Sequence, residues 1–152
     1  MDGYEQPIDR ASPQDLSEAI SRYANPWIGI RHFAAKGRGV IALCDIPKGT
    51  LIERCPVLII PDEDRRKIDT SVVFTYSYMW EHGTTEQDLY SGKGRAGIAL
   101  GMSSLLNHSY QPNATFTRRI DQLELELKSC RDIPAGAEVT IDYQMRLWFD
   151  PT

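Results

Sequence analysis

The residues most suited to chemistry form the run Asn107-His108-Ser109, which stands directly after the apolar pair Leu105-Leu106 and shortly before Pro112-Asn113. Asparagine, histidine and serine side chains donate and accept hydrogen bonds at short range, and proline gives such a turn a rigid exit. The pattern therefore predicts a tight, hydrogen-bonded turn in a buried site. From these residues alone, a functional site and a polar turn that only satisfies itself are equally good interpretations.

A second run, Glu138-Val139-Thr140-Ile141-Asp142-Tyr143, predicts a strand that ends in an acid and a tyrosine. A tyrosine at the end of a strand commonly donates its hydroxyl to a carbonyl and closes the edge of a sheet. Taken by itself, this structural role for Tyr143 outweighs a catalytic one. The pairing with the first run is what makes the segment a candidate for function.

Glycines alternate in Lys36-Gly37-Arg38-Gly39, just before an apolar run that begins at Val40. Glycine lets the backbone approach a ligand closely and present its amides to it. An isolated Gly-x-Gly is more often a hairpin turn, and that interpretation stays the stronger one for this run alone. Dinucleotide binding is disfavoured because no third glycine opens a helix.

Hydrolase and metal chemistry find little support in the sequence. Ser109 directly follows His108, and adjacent positions do not create the geometry of a nucleophile and its base. Cys44, Cys55 and Cys130 are far apart, and the three histidines have no spacing typical of a metal site. The sequence therefore predicts neither a serine hydrolase nor a bound metal.

The chain has 152 residues and a formal net charge of −4, which predicts one domain with a real core. This charge disfavours direct nucleic-acid binding, whereas an acidic surface suits a basic protein partner. The sequence has no signal pattern, no apolar run of membrane length and no disulfide framework. We therefore expect a soluble, intracellular protein with no membrane association.

The first element is a short amphipathic helix, predicted to be capped by Ser12, to begin at Pro13 and to end before Asn25-Pro26. Short strand patterns follow from Trp27 onward. The alternation of apolar and charged residues over Leu123–Lys128 predicts a half-exposed antiparallel strand.

The turn Asp-Ile-Pro-x-Gly occurs twice, at 45–49 and 132–136, each time before a strand pattern. We expect Leu51-Ile52 and 57–60 to be two strands separated near Pro56. Residues 62–97 form a middle insert with a helix near 62–68. Its apolar run at 72–80 is either strand or helix, Ser91 to Gly97 is a basic loop, and 97–101 is a strand that packs closely.

Four elements thus stand in one order: Gly37-Arg38-Gly39, the aromatic run at 72–80, Asn107-His108-Ser109 with Pro112-Asn113, and the strand that ends at Tyr143. This ordered set resembles the SET-domain protein lysine methyltransferases, and in particular the compact stand-alone viral and bacterial type without a zinc-binding segment after the domain. The resemblance implies a mainly β fold of small curved sheets around a C-terminal pseudoknot.

The implied division of the chain is a tail and helix at 1–26, a SET domain at 27–148 and a tail at 149–152. The implied reaction is methyl transfer from S-adenosylmethionine to a lysine amine, with S-adenosylhomocysteine as product and no metal. The resemblance assigns catalysis to Tyr143 and Tyr78. It assigns cofactor binding to Lys36, Gly37, Arg38, Gly39, Asn107, His108 and Trp148, and the lysine channel to Tyr76, Tyr78, Phe116 and Tyr143. Whether Tyr76 or Tyr78 lines the channel stays open.

The implied partner is a lysine-containing protein or peptide, with histones as one candidate class. The sequence departs from the family pattern at Ser104, where many members have arginine, and at Tyr110, where many have cysteine. No three-cysteine segment follows Tyr143, so we expect Leu147–Phe149, the first helix or a second subunit to close the channel. A homodimer is one expected assembly, and a SET-like binding module with little turnover is the alternative function.

Overall fold

The computed structural model describes residues 10–81 and 95–143. Within them, the strands are β1 (Ile28–Phe33), β2 (Gly37–Ala42), β3 (Leu51–Ile60), β4 (Ser77–Glu81), β5 (Arg95–Ala99), β6 (Asn107–His108), β7 (Ala114–Arg119), β8 (Glu124–Ser129) and β9 (Glu138–Ile141). The helices are α1 (Pro13–Arg22) and α2 (Asp62–Asp69), with 3-10 helices at Val72–Tyr76 and Met102–Leu105. The expectation of a mainly β fold is confirmed.

The strands form a four-stranded sheet in the order β1-β2-β9-β6 and a five-stranded sheet in the order β4-β5-β3-β8-β7. Of the pairings in the described residues, only β6 with β9 is parallel. Both sheets contribute side chains to one apolar cluster, whose fully buried members include Val40, Ile52, Leu127, Val139 and Ile141. This shared core fixes β9 relative to the larger sheet.

The first helix begins as predicted, because the Ser12 hydroxyl accepts the Asp15 backbone N–H at 3.1 Å. The helix ends at Arg22, three residues before Asn25. Its contact with the sheet is polar: the Arg22 guanidinium pairs with Glu124, and the Tyr23 hydroxyl donates to the same carboxylate at 3.1 Å.

The prediction that β8 is half-exposed was wrong. Glu124 is 3% exposed and Glu126 is 5% exposed, although they alternate with leucines that face the core. The strand lies between β3 and β7, and the two carboxylates pair with Arg22 and with Arg54 and Arg119, respectively. Acids can be buried when they are paired in this way, and two of the arginines, Arg22 and Arg54, lie far from them along the chain.

The expectation of two strands separated near Pro56 was also wrong, because β3 is a single strand. Pro56 lies where β3 changes partner, from β8 for 51–56 to β5 for 57–60. The Val57 N–H donates to Leu123 O at 2.8 Å, so the preceding proline nitrogen points to the opposite edge. On that edge Pro56 O accepts the Leu100 N–H at 2.9 Å, just past the end of β5, and the proline offers no N–H in return.

The two Asp-Ile-Pro-x-Gly turns bind each other. Ile46 and Ile133 exchange backbone hydrogen bonds of 2.8 and 2.9 Å, and Asp45 and Asp132 each accept a backbone N–H of the other turn. The closing glycines have φ of 85° and 84°, a region that favours glycine. The repeated turn therefore ties the entrance of β3 to the entrance of β9.

The middle segment resolves the open choice at 72–80, because its first part is a 3-10 helix and its second part is β4. The helix predicted near 62–68 is α2. Of the basic loop predicted at 91–97, residues 91–94 lie outside the described residues, and 95–97 belong to β5. A Cβ at Gly97 would lie 2.7 Å from Val57 Cγ1, which confirms the close packing expected at 97–101. No helix within 10–81 or 95–143 has the length and apolar character needed to cross a membrane.

Candidate active site

The two sequence motifs meet where β6 lies beside β9. The parallel register places Asn107 opposite Thr140 and His108 opposite Ile141. The Ser109 N–H extends the pairing by donating to Ile141 O at 2.9 Å. The run Asn107-His108-Ser109 is thus part of a sheet and not an isolated turn.

Asn113 fixes the exit from this short strand. Its Oδ1 accepts the Thr140 N–H at 2.9 Å, and its Nδ2 donates to Glu138 O at 2.8 Å. The side-chain amide therefore takes the place of a strand partner for β9. This contact explains why an asparagine after proline accompanies the first motif.

Tyr143 contacts β6 through both its backbone and its hydroxyl. Its N–H donates to His108 Nδ1 at 2.9 Å, and its hydroxyl donates to Leu106 O at 2.5 Å. Burial, with a smaller contribution from Glu138, raises the pKa of Tyr143 to about 12. The phenol therefore stays protonated at neutral pH and acts as a hydrogen-bond donor, not as a base.

Tyr78 makes an equivalent contact from the other sheet. Its hydroxyl donates to Ser103 O at 2.5 Å, and its ring lies edge-on to Phe116 with 5.2 Å between centroids. Burial first, and then the nearby Tyr143 phenol, raises the pKa of Tyr78 far above its ordinary value. Tyr78 and Tyr143 thus both donate to carbonyls of one short segment, 103–106, and the Phe116 ring lies beside Tyr78.

A buried carboxylate anchors this segment from below. Glu53 is 5% exposed, and its Oε1 accepts both the backbone N–H and the hydroxyl of Ser103 at 2.7 Å. Its Oε2 accepts the Met102 N–H at 3.2 Å and the Asn25 side-chain amide at 2.8 Å. Glu53 therefore holds the start of the 3-10 helix that carries one of the two acceptor carbonyls, Ser103 O, while the other, Leu106 O, follows directly after the helix.

The Lys36–Gly39 run borders Asn107 and Glu138. Lys36 Nζ lies 2.8 Å from Glu138 Oε1, and Asn107 Nδ2 lies 3.4 Å from both Glu138 Oε2 and Arg38 O. A Cβ at Gly39 would lie 2.7 Å from Asn107 Nδ2, so a side chain there would collide with the amide. Residues 37–39 belong to β2 itself, and the hairpin interpretation is right as well, since β1 and β2 are antiparallel neighbours.

The structure brings most of the candidate residues together, with two exceptions. Tyr76 ends the 3-10 helix at Val72–Tyr76 and therefore lies outside β4, which begins at Ser77. Tyr78 is the tyrosine that contacts Phe116. Trp148 lies outside the described residues, as does 147–149.

Comparison with known proteins identifies the arrangement. The family model described as the SET domain matches residues 37–144. This chain belongs to the SET-domain family. It is 33% identical over 122 residues to a histone-lysine N-methyltransferase of Schizosaccharomyces pombe that is specific for lysine 37 of histone H3. That match covers 80% of this chain and 76% of the relative, and the resemblance inferred from the motifs is confirmed.

Solved structures agree with the SET-domain fold. A Plasmodium falciparum chain assigned as a histone methyltransferase has a TM-score of 0.61 and 25% identity, over 83% of this chain and 100% of that chain. The Neurospora SET-domain protein DIM-5, a histone lysine methyltransferase, has a TM-score of 0.58 over 93% of this chain and 61% of that chain. Its 22% identity shows the fold alone. The enzyme class of this SET-domain protein is protein-lysine N-methyltransferase.

Two acids of the SET-domain site, Glu53 and Glu138, were missed from the sequence. Glu53 stands directly beside Arg54 in the sequence, and this local pattern does not distinguish it from an exposed charged pair. Glu138 was seen only as part of the second motif, and its bonds to Lys36 and Asn107 come from other strands. Within the described ranges, no group of three or more histidine, cysteine, aspartate and glutamate side chains is placed to hold a metal ion.

Acid is expected to weaken the His108–Tyr143 contact. Because Nδ1 accepts the Tyr143 N–H, the neutral ring carries its proton on Nε2, and protonating Nδ1 would abolish the hydrogen bond. Burial lowers the pKa of His108, and the opposing effect of Asp142 is smaller. The resulting stabilisation is complete above the unfolded value of about 6.5 and is lost as pH falls through the lower folded value.

This effect can be measured by urea unfolding at about pH 7.5 and about pH 5.5. His108→Asn keeps an oxygen acceptor near the position of Nδ1 without a titrating group, so this part of the pH dependence should disappear. The matched control is His32→Asn on the exposed part of β1, which should retain it. Equal pH dependence in the wild type and in His108→Asn would refute the role given to His108.

Proposed function

We propose that this protein transfers a methyl group from S-adenosylmethionine to a lysine amine of a protein substrate, with histones as the candidate class. One observation carries the proposal above the others. The hydroxyls of Tyr78 and Tyr143 both donate to carbonyls of the segment 103–106, next to the parallel pair β6 and β9. This geometry creates a narrow, oriented set of polar groups in an aromatic environment.

The residues around β6 fit the cofactor that the proposal requires. S-adenosylmethionine supplies an electrophilic methyl group on a sulfonium. Lys36 to Gly39 would offer backbone groups to the methionine portion, and Gly39 packs directly against Asn107 and Phe33, which a Cβ there would meet at 2.7 and 2.8 Å. Asn107 and His108 would bind the amino-acid and adenine ends, and Trp148 is proposed to stack on the adenine.

The lysine must lose its proton before it can accept a methyl group. A free lysine has a pKa of about 10.4, so only a few molecules in ten thousand are neutral at pH 7. Tyr78, Phe116 and Tyr143 pack against the same apolar cluster, and desolvation there favours the neutral amine. Because both phenols stay protonated, they take no proton from the lysine. Their proposed role is to orient the reacting groups in line.

Adding a hydroxyl at Phe116 is expected to limit the number of methyl groups transferred. The Phe116 ring lies 5.2 Å from the Tyr78 ring and offers no polar atom to the channel. In Phe116→Tyr, the new hydroxyl would bind the amine or a water and oppose the rotation needed for a second transfer. Mass spectra of the product should shift toward monomethyl lysine, whereas Thr117→Val on the exposed face of β7 should not change the distribution. An unchanged distribution in Phe116→Tyr would remove Phe116 from the channel.

The proposed function also includes a cellular location and an assembly state. The location is intracellular, because histones are intracellular, and the assembly is a homodimer that completes the channel. The first helix leaves Leu16 54% exposed, which is consistent with a further contact at this helix. Sedimentation of the purified protein would show whether the dimer forms.

Transfer of labelled methyl from S-adenosylmethionine to proteins tests the proposed function. Core histones and a cell extract are incubated in parallel with the wild-type protein and separated by electrophoresis. The expected result is a labelled histone band whose intensity grows with time. Cofactor binding by calorimetry without labelling of any protein would support the alternative of a binding module and contradict turnover.

A further inference from the structure

Arg118 is an arginine that has no acidic partner among the residues that the structure describes. Arg22 pairs with Glu124, and Arg119 pairs with Glu126 at 2.7 Å. Arg118 is half-buried and its Nε is fully buried, yet in the part of the chain that the structure describes it makes no ion pair and its Nε has no hydrogen bond. An arginine whose Nε is buried without an acceptor is uncommon and requires an explanation.

The position of Arg118 connects it with the proposed lysine channel. It lies in β7, two residues after Phe116, and its Cζ is 5.0 Å from the centre of the Phe116 ring. Phe116 in turn contacts Tyr78. The guanidinium therefore stands one aromatic ring away from a tyrosine of the channel, on an edge strand of the five-stranded sheet.

The contact with Phe116 satisfies only part of what a guanidinium needs. The ring face attracts the cation, but it offers no lone pair to the buried Nε–H. Desolvation of the half-buried group also lowers the pKa of Arg118. An oxygen acceptor placed against this group would restore the hydrogen bonds lost to burial.

We propose that Arg118 is a substrate-recognition residue, whose N–H groups bind an oxygen acceptor of the substrate polypeptide beside the target lysine. The inference rests on the proposed function, because the channel defines where the substrate lies. The acceptor is either a main-chain carbonyl or a side-chain carboxylate, which share the chemistry that a guanidinium recognises. Within residues 10–81 and 95–143, β7 is an edge strand of the five-stranded sheet, and an extended substrate peptide would approach Arg118 along it.

The proposed role predicts that replacing Arg118 does not lower the melting temperature of the protein. Replacing a residue whose role is only structural normally lowers the stability of the protein. Arg118→Met keeps the length and the apolar contact with Phe116 but removes an unpaired, desolvated charge. The melting temperature should therefore stay the same or rise, while recognition of the substrate is lost.

The test compares wild type, Arg118→Met and the neighbour Arg119→Met in steady-state methyl transfer to histone H3. Arg118→Met should raise the KM for histone H3 by about tenfold or more and leave the Kd for S-adenosylmethionine unchanged. Arg119→Met should leave that KM unchanged and lower the melting temperature, because it breaks the pair with Glu126. Histone H3 peptides whose acidic side chains are converted to amides distinguish the two acceptors. If Arg118 binds a carboxylate, the wild-type KM for these peptides should be higher than for the unmodified peptide. If Arg118 binds a main-chain carbonyl, the KM should be unchanged.

Each of the following results would overturn the inference. A lower melting temperature with an unchanged KM would make Arg118 a structural residue. A weaker Kd for S-adenosylmethionine would assign the guanidinium to the cofactor. If the wild type leaves histone H3 unlabelled, the proposed function with a histone substrate fails and this inference fails with it, whereas labelling with an unchanged KM in Arg118→Met rejects the inference alone.

Discussion

Tyr143→Phe is expected to reduce the kcat of methyl transfer by roughly 10²- to 10³-fold, the usual cost of losing an oriented donor in an active site. The substitution removes only the hydroxyl that donates to Leu106 O. The backbone bond from position 143 to His108 Nδ1 remains, so the strand end should keep its place. Stability should fall by about 1 kcal/mol, as is typical for one hydrogen bond.

Kinetics with labelled S-adenosylmethionine, calorimetry of cofactor binding and thermal unfolding together check this result. The matched control is Tyr110→Phe, because the Tyr110 side chain is 69% exposed. That variant should keep wild-type turnover. A kcat for Tyr143→Phe within a few-fold of wild type would show that the hydroxyl does not serve the reaction.

Among the substitutions proposed for this protein, Glu53→Gln is expected to lower the free energy of unfolding the most. The two carboxylate oxygens accept four hydrogen bonds, two on each oxygen. A glutamine has one oxygen and one NH2 group, so in either orientation its NH2 group faces two donors. The free energy of unfolding should fall by about 2 to 4 kcal/mol, because buried donors are left without acceptors.

The same substitution should also lower kcat. Glu53 fixes the start of the 3-10 helix Met102–Leu105. That helix includes Ser103 and ends directly before Leu106, and the carbonyls of these two residues receive the phenols. Urea unfolding gives the stability change, and kinetics at low temperature give kcat for the folded fraction. Glu63→Gln on the exposed part of α2 is the control and should change stability by less than about 0.5 kcal/mol. Wild-type stability in Glu53→Gln would contradict the anchoring role.

The order of the motifs gave the family, although no single motif did. Asn107-His108 and Asp142-Tyr143 are each ambiguous, and their direct contact through β6 and β9 is what joins them. A strand of two residues carries no alternation of apolar and polar positions, so periodicity cannot reveal its parallel pairing. The resemblance supplied what the local pattern lacked.

The buried acids show the limit of sequence patterns most clearly. Glu124 and Glu126 alternate with leucines exactly as residues on a solvated face would, yet arginines from α1, β3 and β7 cover them. Glu53 is satisfied by groups 28, 49 and 50 positions away along the chain. Such partners depend on the tertiary fold, and no local rule finds them.

The most direct test of a lysine methyltransferase is the chemical identity of the methylated amino acid. Histones labelled by the wild-type protein with methyl-labelled S-adenosylmethionine are hydrolysed to amino acids and separated by chromatography. Label that coelutes with Nε-methyllysine standards is the predicted result. Label in methylarginine or methylhistidine, or no label in any amino acid, would contradict the assignment of this chain as a lysine methyltransferase.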